Sequence, residues 1–359
     1  MHHSPRHSHL ATRHSRGEAA RFAFTLLELL IAISIIAILA GLILTVASSA
    51  SVRAHNAQVS AEIQSLSAGI SAFKQRFGVE PPSSITLYEQ GTTIAAAGTG
   101  WNSDPRSMGL IRQIWPQFDF TYAAYASQGN VVDINGNGTT NDVISLTGAE
   151  CLVFFLGGVP SGSGGNPMGF SQNPADPFNV PGVGASRQVV GTNREHFADF
   201  DVSRLFLYPP ANTTTNGILY HSTNTYKDTL STQTQPYLYF SSYGGQGYYI
   251  NELVGLPPNT PNLNNAPGQN SPPGNAFTDV YRQGPLSYWT STSPTFVQNT
   301  STPSPPWNAN SYQIISPGGD GLYGTGGEYE TANANTLLIG TRGGERDNIT
   351  NFSSGILAP

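Results

Sequence analysis

The most pronounced pattern in the chain is a charge-free apolar run over residues 29–52. As a helix, this run would be about 36 Å long, enough to cross the roughly 30 Å hydrocarbon core of a bilayer. An ordinary secretory signal has a shorter apolar core that ends at a small-residue cleavage site. Residues 24–52 are therefore predicted to span a membrane.

Apolar side chains continue beyond this run, but they follow a different pattern. They recur at spacings of four and three, as on one face of an amphipathic helix, at Val59, Ile63, Leu66, Ile70, Phe73 and Phe77. Gly78 supplies a C-terminal cap, and Pro81 and Pro82 block continuation of the helix. One helix is thus predicted from about Phe24 to Phe77, with residues 53–78 packing on an exported domain, residues 79–359.

Weaker patterns in the exported domain favour short strands joined by long loops. Aromatic and polar residues alternate at 205–208, 237–240 and 248–250, as strands require. Residues 149–156 form an apolar run that fits either a short buried helix or a strand. Residues 257–311 are rich in Pro, Asn, Ser and Thr and are predicted to be an extended loop or linker. The predicted fold class is α+β, with the long N-terminal helix packed on an antiparallel sheet.

The distribution of charge predicts how the apolar helix is oriented in the membrane. Charged residues make up only 11% of the 359-residue chain, and the net charge is −6. Residues 1–23 hold four arginines and one glutamate, so the rest of the chain is more acidic than the total suggests. Such a domain lacks the basic surface that nucleic acid requires. The arginines before the apolar run place the N-terminus in the cytoplasm by the positive-inside rule.

Cys151 is the single cysteine, so no intramolecular disulfide can form. It begins the apolar sequence Cys-Leu-Val-Phe-Phe-Leu. Free cysteine is among the most buried residue types, and a reactive thiol would need a partly exposed, electropositive setting. We therefore expect Cys151 to be a buried structural residue.

Residues 21–31, with the sequence Arg-Phe-Ala-Phe-Thr-Leu-Leu-Glu-Leu-Leu-Ile, resemble the N-terminal methylation motif of type IV pilins and type II secretion pseudopilins. The resemblance implies that a prepilin peptidase cuts between Ala23 and Phe24, and that the new Phe24 amine is methylated. It also implies a filament-assembly role for Glu28. The family normally has Gly before the cut, where this chain has Ala23.

Physical reasoning supports a functional role for Glu28. A carboxylate at membrane depth is costly and usually functional. Once buried in a filament, it needs a cation, because an unpaired buried charge is strongly unfavourable. The α-amine of Phe24 in a neighbouring subunit would provide that cation and set the axial stagger of the subunits.

Two loops are candidate calcium sites. Residues 133–142 present oxygen ligands at alternate positions, notably Asp133, Asn135 and Asn137, a spacing that suits a hard cation. The loop departs from an EF-hand because Ile144 stands where the twelfth-position glutamate belongs. An Asn-Gly turn explains the same residues.

The second candidate loop lies near the C-terminus. A Gly-rich segment, residues 316–328, precedes an Asp-Asn-Ile-Thr-Asn-Phe sequence at 347–352. This pair is similar to the C-terminal calcium loop of major type II pseudopilins. The resemblance implies Asp320 and Asp347 as ligands, with Glu328 a weaker one. A set of turns driven by glycine is the alternative.

The sequence shows no catalytic constellation, so we expect a structural subunit rather than an enzyme. By resemblance, it would be a subunit of a type II secretion pseudopilus or a type IV pilus-like filament. It would sit in the inner membrane with its domain in the periplasm, and its partners would be prepilin peptidase and other pilin-like subunits, including its own copies. The alternative is an anchored or filament-displayed binding module, an adhesin or a carbohydrate-binding domain.

Overall fold

The computed structural model describes residues 25–95, 100–182, 194–208, 212–215, 217–230, 233–248, 280–283, 305–324 and 326–358. The chain divides into two compact units, Met1–Val52 and Arg53–Pro359. The helices of the described residues are α1 (Leu26–Phe77), α2 (Pro105–Ile114), α3 (Gly148–Gly157) and α4 (Ala334–Leu337).

The strands of the described residues are short, and most contain two to four residues. They are β1 (Ile85–Tyr88), β2 (Val143–Leu146), β3 (Phe170–Ser171), β4 (Arg194–Glu195), β5 (Leu205–Leu207), β6 (Thr213–Thr215), β7 (Ile218–Tyr220), β8 (Asn224–Tyr226), β9 (Leu238–Ser241), β10 (Tyr281–Arg282), β11 (Tyr312–Ser316), β12 (Gly327–Glu328) and β13 (Ile349–Thr350).

The predicted α+β class is confirmed, but the sheet is divided into several small ones. One sheet has the order β1-β2-β7-β6, in which β2 and β7 are parallel and the other pairs antiparallel. A second, antiparallel sheet has the order β13-β11-β9. The remaining pairs are β3–β4 and β5–β8, which are antiparallel, and β10–β12, which is parallel.

The first unit contains the beginning of α1. Its apolar stretch Leu26–Ile43 has a mean hydropathy of 2.8, and none of it is buried. Among the described residues, this is the helix long and apolar enough to cross a membrane. Its large side chains, such as Leu26 at 82% exposed, have no protein surface over them.

The second unit buries the predicted apolar face of α1. The face from Val59 to Phe73 is at most 3% exposed, and Phe77 packs partly against the same core. The ring of Phe73 lies 6.0 Å from that of Phe155 on α3 and 5.2 Å from that of Phe197. The helix ends at Phe77, as predicted, and Gly78 follows it with a backbone φ of +80°.

The apolar run at 149–156 is the helix α3 and not a strand. The backbone N–H and the hydroxyl of Thr147 both donate to Glu150 Oε2, at 3.0 and 2.8 Å. This is a capping box, which fixes the start of a helix. Cys151 on α3 is fully buried, as expected.

The sheet β13-β11-β9 separates two cores, because its side chains alternate between its faces. Tyr239 and Ile314 belong to the larger core beneath α1, whereas Leu238, Phe240 and Ile315 belong to a smaller one. The smaller core also contains Tyr281 and Tyr329 and lies next to the C-terminal loops. Packing in the smaller core connects these loops to strands β9 and β11.

Predicted strands and loops have mixed outcomes. The strands at 205–208 and 237–240 are confirmed as β5, which ends one residue earlier, and β9, which is shifted by one residue at both ends. Tyr248, the one described residue of the predicted 248–250 strand, is outside the strands. Most of the predicted linker at 257–311 lies outside the described residues, and its described part includes the short strand β10.

A clamp of four side chains holds α1 to strand β8 and to residues that directly precede β5 and β9. Glu62 on α1 accepts hydrogen bonds from Arg204 and Tyr237, with Arg204 Nη1 at 2.7 Å and Tyr237 Oη at 2.6 Å from Oε2. Tyr226 donates to Glu62 Oε1 at 3.0 Å, and the Arg204 guanidinium lies 4.4 Å from the Tyr226 ring centroid. The Glu62 and Arg204 side chains are each 16% exposed.

We predict that Arg204→Met destabilises the second unit by about 3 kcal/mol, because the Glu62 carboxylate stays buried without its cation. The measurement is urea unfolding of the detergent-solubilised chain followed by circular dichroism. Arg76→Met is the matched control, because Arg76 pairs with Glu195 through a side chain that is 53% exposed. Such pairs contribute about 1 kcal/mol or less. Equal effects of the two variants would contradict the clamp.

Candidate assembly and calcium sites

The start of α1 is fixed by Glu28 itself. The backbone N–H and the hydroxyl of Thr25 each donate to Glu28 Oε2 at 2.9 Å, and the Glu28 N–H donates to Thr25 Oγ1 at 3.2 Å. This is a capping box, and it satisfies donors that the first turn of a helix leaves open. Sequence reasoning missed this second role, although the Thr-x-x-Glu spacing signals it.

The Glu28 carboxylate lies on an exposed helix surface with apolar neighbours. Leu27 and Leu29 beside it are 65% and 58% exposed. Both Thr25 bonds use Oε2, so Oε1 is the oxygen available to a donor from another molecule. The predicted processing residues Ala23 and Phe24 lie outside the described residues.

The structure brings Asp320 and Asp347 together in the C-terminal loops. Asp347 Oδ2 accepts from the backbone N–H groups of Gly319 and Asp320, at 2.6 and 3.0 Å. Asp320 Oδ1 accepts from the N–H of Leu322 at 2.8 Å. Gly318 has φ +66°, and a Cβ there would lie 2.3 Å from the Asp347 carbonyl oxygen, so the close approach of the two loops requires glycine.

The carboxylates of this site have raised pKa values. Partial burial and the neighbouring Asp347 carboxylate raise the pKa of Asp320. Burial, together with the charge of Asp228, raises the pKa of Asp347. Among the described residues, the ion pairs include none that neutralises these three carboxylates. A bound cation would relieve their mutual repulsion.

Asp228 is a member of this site that sequence reasoning did not find. It is 1% exposed, and its Oδ2 accepts from Ser316 Oγ at 2.9 Å and Gln233 Nε2 at 3.1 Å. Gln233 Nε2 also donates to the carbonyl oxygen of Gly318 at 3.2 Å. Asp228 follows β8 and is far from the glycine loop in sequence, so no local pattern links it to the site.

Glu328 is not brought into this group. Its backbone carbonyl accepts from Arg342 Nη1 at 2.7 Å, and Arg342 in turn forms a buried bidentate pair with Glu345, at 2.9 and 2.6 Å. This pair lies at 1% and 0% side-chain exposure. It supports the loops on which Asp320 and Asp347 stand and offers no ligand of its own.

The carboxylates of the loop at residues 133–142 accept hydrogen bonds from donors within the same loop. Asp133 accepts from the N–H groups of Gly136 and Gly138, at 2.8 and 3.2 Å. Asp142 Oδ2 accepts from Asn135 Nδ2, Asn137 Nδ2 and Thr139 Oγ1, at 3.3, 2.7 and 2.6 Å. The geometry suits a turn, and calcium at this loop stays a prediction.

Glu89 is a further carboxylate at this loop that sequence reasoning missed. It is fully buried and accepts from the N–H groups of Ile134 at 2.8 Å and Asp142 at 3.1 Å. Burial raises its pKa, and the Asp142 and Asp133 charges raise it further. It directly follows β1, and nothing in the local sequence indicates that it faces this loop.

Within the part of the chain that is described, no three His, Cys, Asp or Glu side chains form a metal-binding group by themselves. A cation at Asp320 and Asp347 would therefore complete its shell with backbone carbonyls, amide oxygens or water. Calcium accepts such mixed oxygen shells of six to eight ligands.

Comparison with known proteins gives one result. The family model for the prokaryotic N-terminal methylation motif matches residues 19–44. Neither the curated proteins nor the solved structures give a match to this chain. The matched segment contains Thr25, Glu28 and the apolar helix described above. Residues 19–44 thus form the prepilin-type signature of type IV pilins and pseudopilins.

Proposed function

We propose that the protein is a structural subunit of a type II secretion pseudopilus or a type IV pilus-like filament. The observation that supports this most directly is the methylation motif at residues 19–44, which coincides with an uncovered apolar helix. Prepilin peptidase is the processing partner that the motif implies, with cleavage proposed between Ala23 and Phe24. Before assembly, the subunit resides in the inner membrane with its domain in the periplasm.

Assembly removes the apolar helix from lipid and packs it against helices of other subunits. Lipid tails are as apolar as leucine, so van der Waals packing and polar pairs must drive this association. Glu28 is the acidic residue of the apolar stretch Leu26–Ile43. Within the subunit, Thr25 donates two hydrogen bonds to Glu28 Oε2. The Phe24 amine of a neighbouring subunit supplies the cation that pairs with the Glu28 carboxylate.

We predict that Glu28→Ala lowers the amount of subunit in sheared filaments at least tenfold, because the intersubunit pair is lost. The subunit should still be cleaved, since the cut precedes this residue. Immunoblots of filament and membrane fractions from a strain with the cognate machinery measure both quantities.

Ser34→Ala is the matched control for this experiment. Ser34 is an exposed polar residue of the same stretch, but its hydroxyl donates to the Leu30 carbonyl of its own helix at 2.7 Å. This variant should assemble normally. Wild-type filament levels for Glu28→Ala would rule out the proposed pair.

We further propose that calcium binds between Asp320 and Asp347. Support comes from the two adjacent carboxylates, the nearby Asp228 charge and the raised pKa values of Asp320 and Asp347. Ligand binding to the folded state stabilises it by mass action. Calcium would thus order the C-terminal loops of an exported domain that has a single cysteine and no intramolecular disulfide.

We predict that calcium at 100 times its Kd raises the melting temperature of the detergent-solubilised chain by about 5 °C. Asp347→Asn should abolish the rise, because it removes a charge from the site. Glu328→Gln should keep it, because Glu328 lies apart from the two aspartates. Melting curves in calcium and in chelator provide the measurement, and an equal rise for wild type and Asp347→Asn would refute this site.

A further inference from the structure

One short segment of the second unit, residues 227–229, connects the C-terminal loops to the helix α1. It directly follows β8, and its three residues have different partners. The middle residue, Asp228, bonds to the loops, whereas Lys227 and Thr229 on either side of it bond towards α1. A change at the loops can therefore reach α1 through three consecutive residues.

The contacts between Asp228 and the C-terminal loops are buried. Ser316 Oγ donates to Asp228 Oδ2 at 2.9 Å. Gln233 Nε2 lies between the two parts, 3.1 Å from Asp228 Oδ2 and 3.2 Å from the carbonyl oxygen of Gly318. The Gln233 amide is held in this orientation, because its Oε1 accepts from two backbone N–H groups at 3.1 Å. The position of the Asp228 carboxylate is thus fixed relative to the loop that carries Asp320.

Two contacts connect the same segment to α1. The carbonyl oxygen of Lys227 accepts at 3.2 Å from Arg204 Nη1, which also donates to Glu62 on α1. The Lys227 N–H donates to the Arg204 carbonyl at 3.3 Å. On the other side, Thr229 Oγ1 lies 3.3 Å from His55 Nδ1 on α1, within hydrogen-bond distance. Since the three residues of the segment are consecutive, the middle one cannot shift without disturbing these contacts.

Charge makes this connection sensitive to a cation. Burial, and after it the charge of Asp228, raises the pKa of Asp347. A cation bound at Asp347 would replace this repulsion by attraction to both carboxylates. The cation therefore binds more tightly when the segment holds Asp228 where the structure shows it. A ligand that prefers one arrangement of a protein stabilises that arrangement.

We propose that calcium at Asp320 and Asp347 strengthens the packing of α1 residues 55–62 on the second unit, through residues 227–229. This inference rests on the proposed calcium site and gives that site a regulatory effect on α1 in addition to its effect on the C-terminal loops. The effect is reciprocal, because two linked equilibria change each other by the same factor. Intact contacts at Glu62 therefore raise the affinity for calcium.

Hydrogen–deuterium exchange of the detergent-solubilised full chain, in calcium and in chelator, measures the effect on α1. Calcium should slow exchange at residues 316–322 of the site and, about fivefold, at residues 55–62 of α1. Thr229→Val should keep the first effect and reduce the second to about twofold, because it removes the hydroxyl group that meets His55.

Isothermal titration calorimetry of the same preparation measures the reciprocal effect. Glu62→Gln removes the charge that pairs with Arg204 and should lower the calcium affinity about fivefold. Glu195→Gln is the matched control, because the Arg76–Glu195 pair also joins α1 to the second unit, but through β4. This control should bind calcium as tightly as wild type does.

The outcomes distinguish this inference from the calcium site on which it rests. If calcium gives neither heat nor slower exchange at 316–322, the site is refuted and the inference fails with it. If calcium slows exchange at 316–322 but not at 55–62, the site stands and the coupling to α1 is overturned. Wild-type affinity of Glu62→Gln, or equal losses for Glu62→Gln and Glu195→Gln, would also overturn the coupling.

Discussion

The exposed apolar surface of Leu26–Ile43 is the constraint on which the rest of this structure depends. Eighteen successive residues with a mean hydropathy of 2.8 have no protein cover within the chain. Burying one large aliphatic side chain contributes about 1.5–3 kcal/mol. A surface of this size must therefore be covered by lipid or by other helices. The methylation motif at 19–44, the prepilin-type signature of type IV pilins and pseudopilins, coincides with this apolar surface.

The Glu28 carboxylate distinguishes the two environments of the apolar helix, lipid and other helices. In lipid, its carboxylate is costly and has Thr25 as its partner within the helix. In the proposed filament, the same carboxylate would meet an amine from the next subunit. On that proposal, Glu28 favours assembly over the membrane-inserted state, while its capping box orders the first turn of α1.

The sequence predicted those features that depend on neighbours within a few residues. The spacing of Val59 to Phe77 gave the buried face of α1, and Gly78 gave its end. The apolar pattern at 149–156 left helix and strand open, although the Thr-x-x-Glu spacing at Thr147 is the local signal of the helix start that the structure shows. Strand boundaries shifted because two- to four-residue strands contain too few alternations to fix them.

Features that join distant segments could not be predicted in this way. Asp228 joins Asp347 through tertiary packing, and Glu89 meets the 133–142 loop from a separate strand. The resemblance to a pseudopilin calcium loop implied Glu328 as a weaker ligand, and the fold brings its backbone carbonyl to Arg342. Such sites follow from the packing of the domain, which no local pattern specifies.

The most direct test of this account is the mass of the N-terminal peptide of mature protein purified from membranes. The account predicts a peptide that begins with N-methylated Phe24 and lacks residues 1–23. Mature protein that begins at Met1 would contradict it, because the basic leader and Ala23 would then remain attached to the apolar helix.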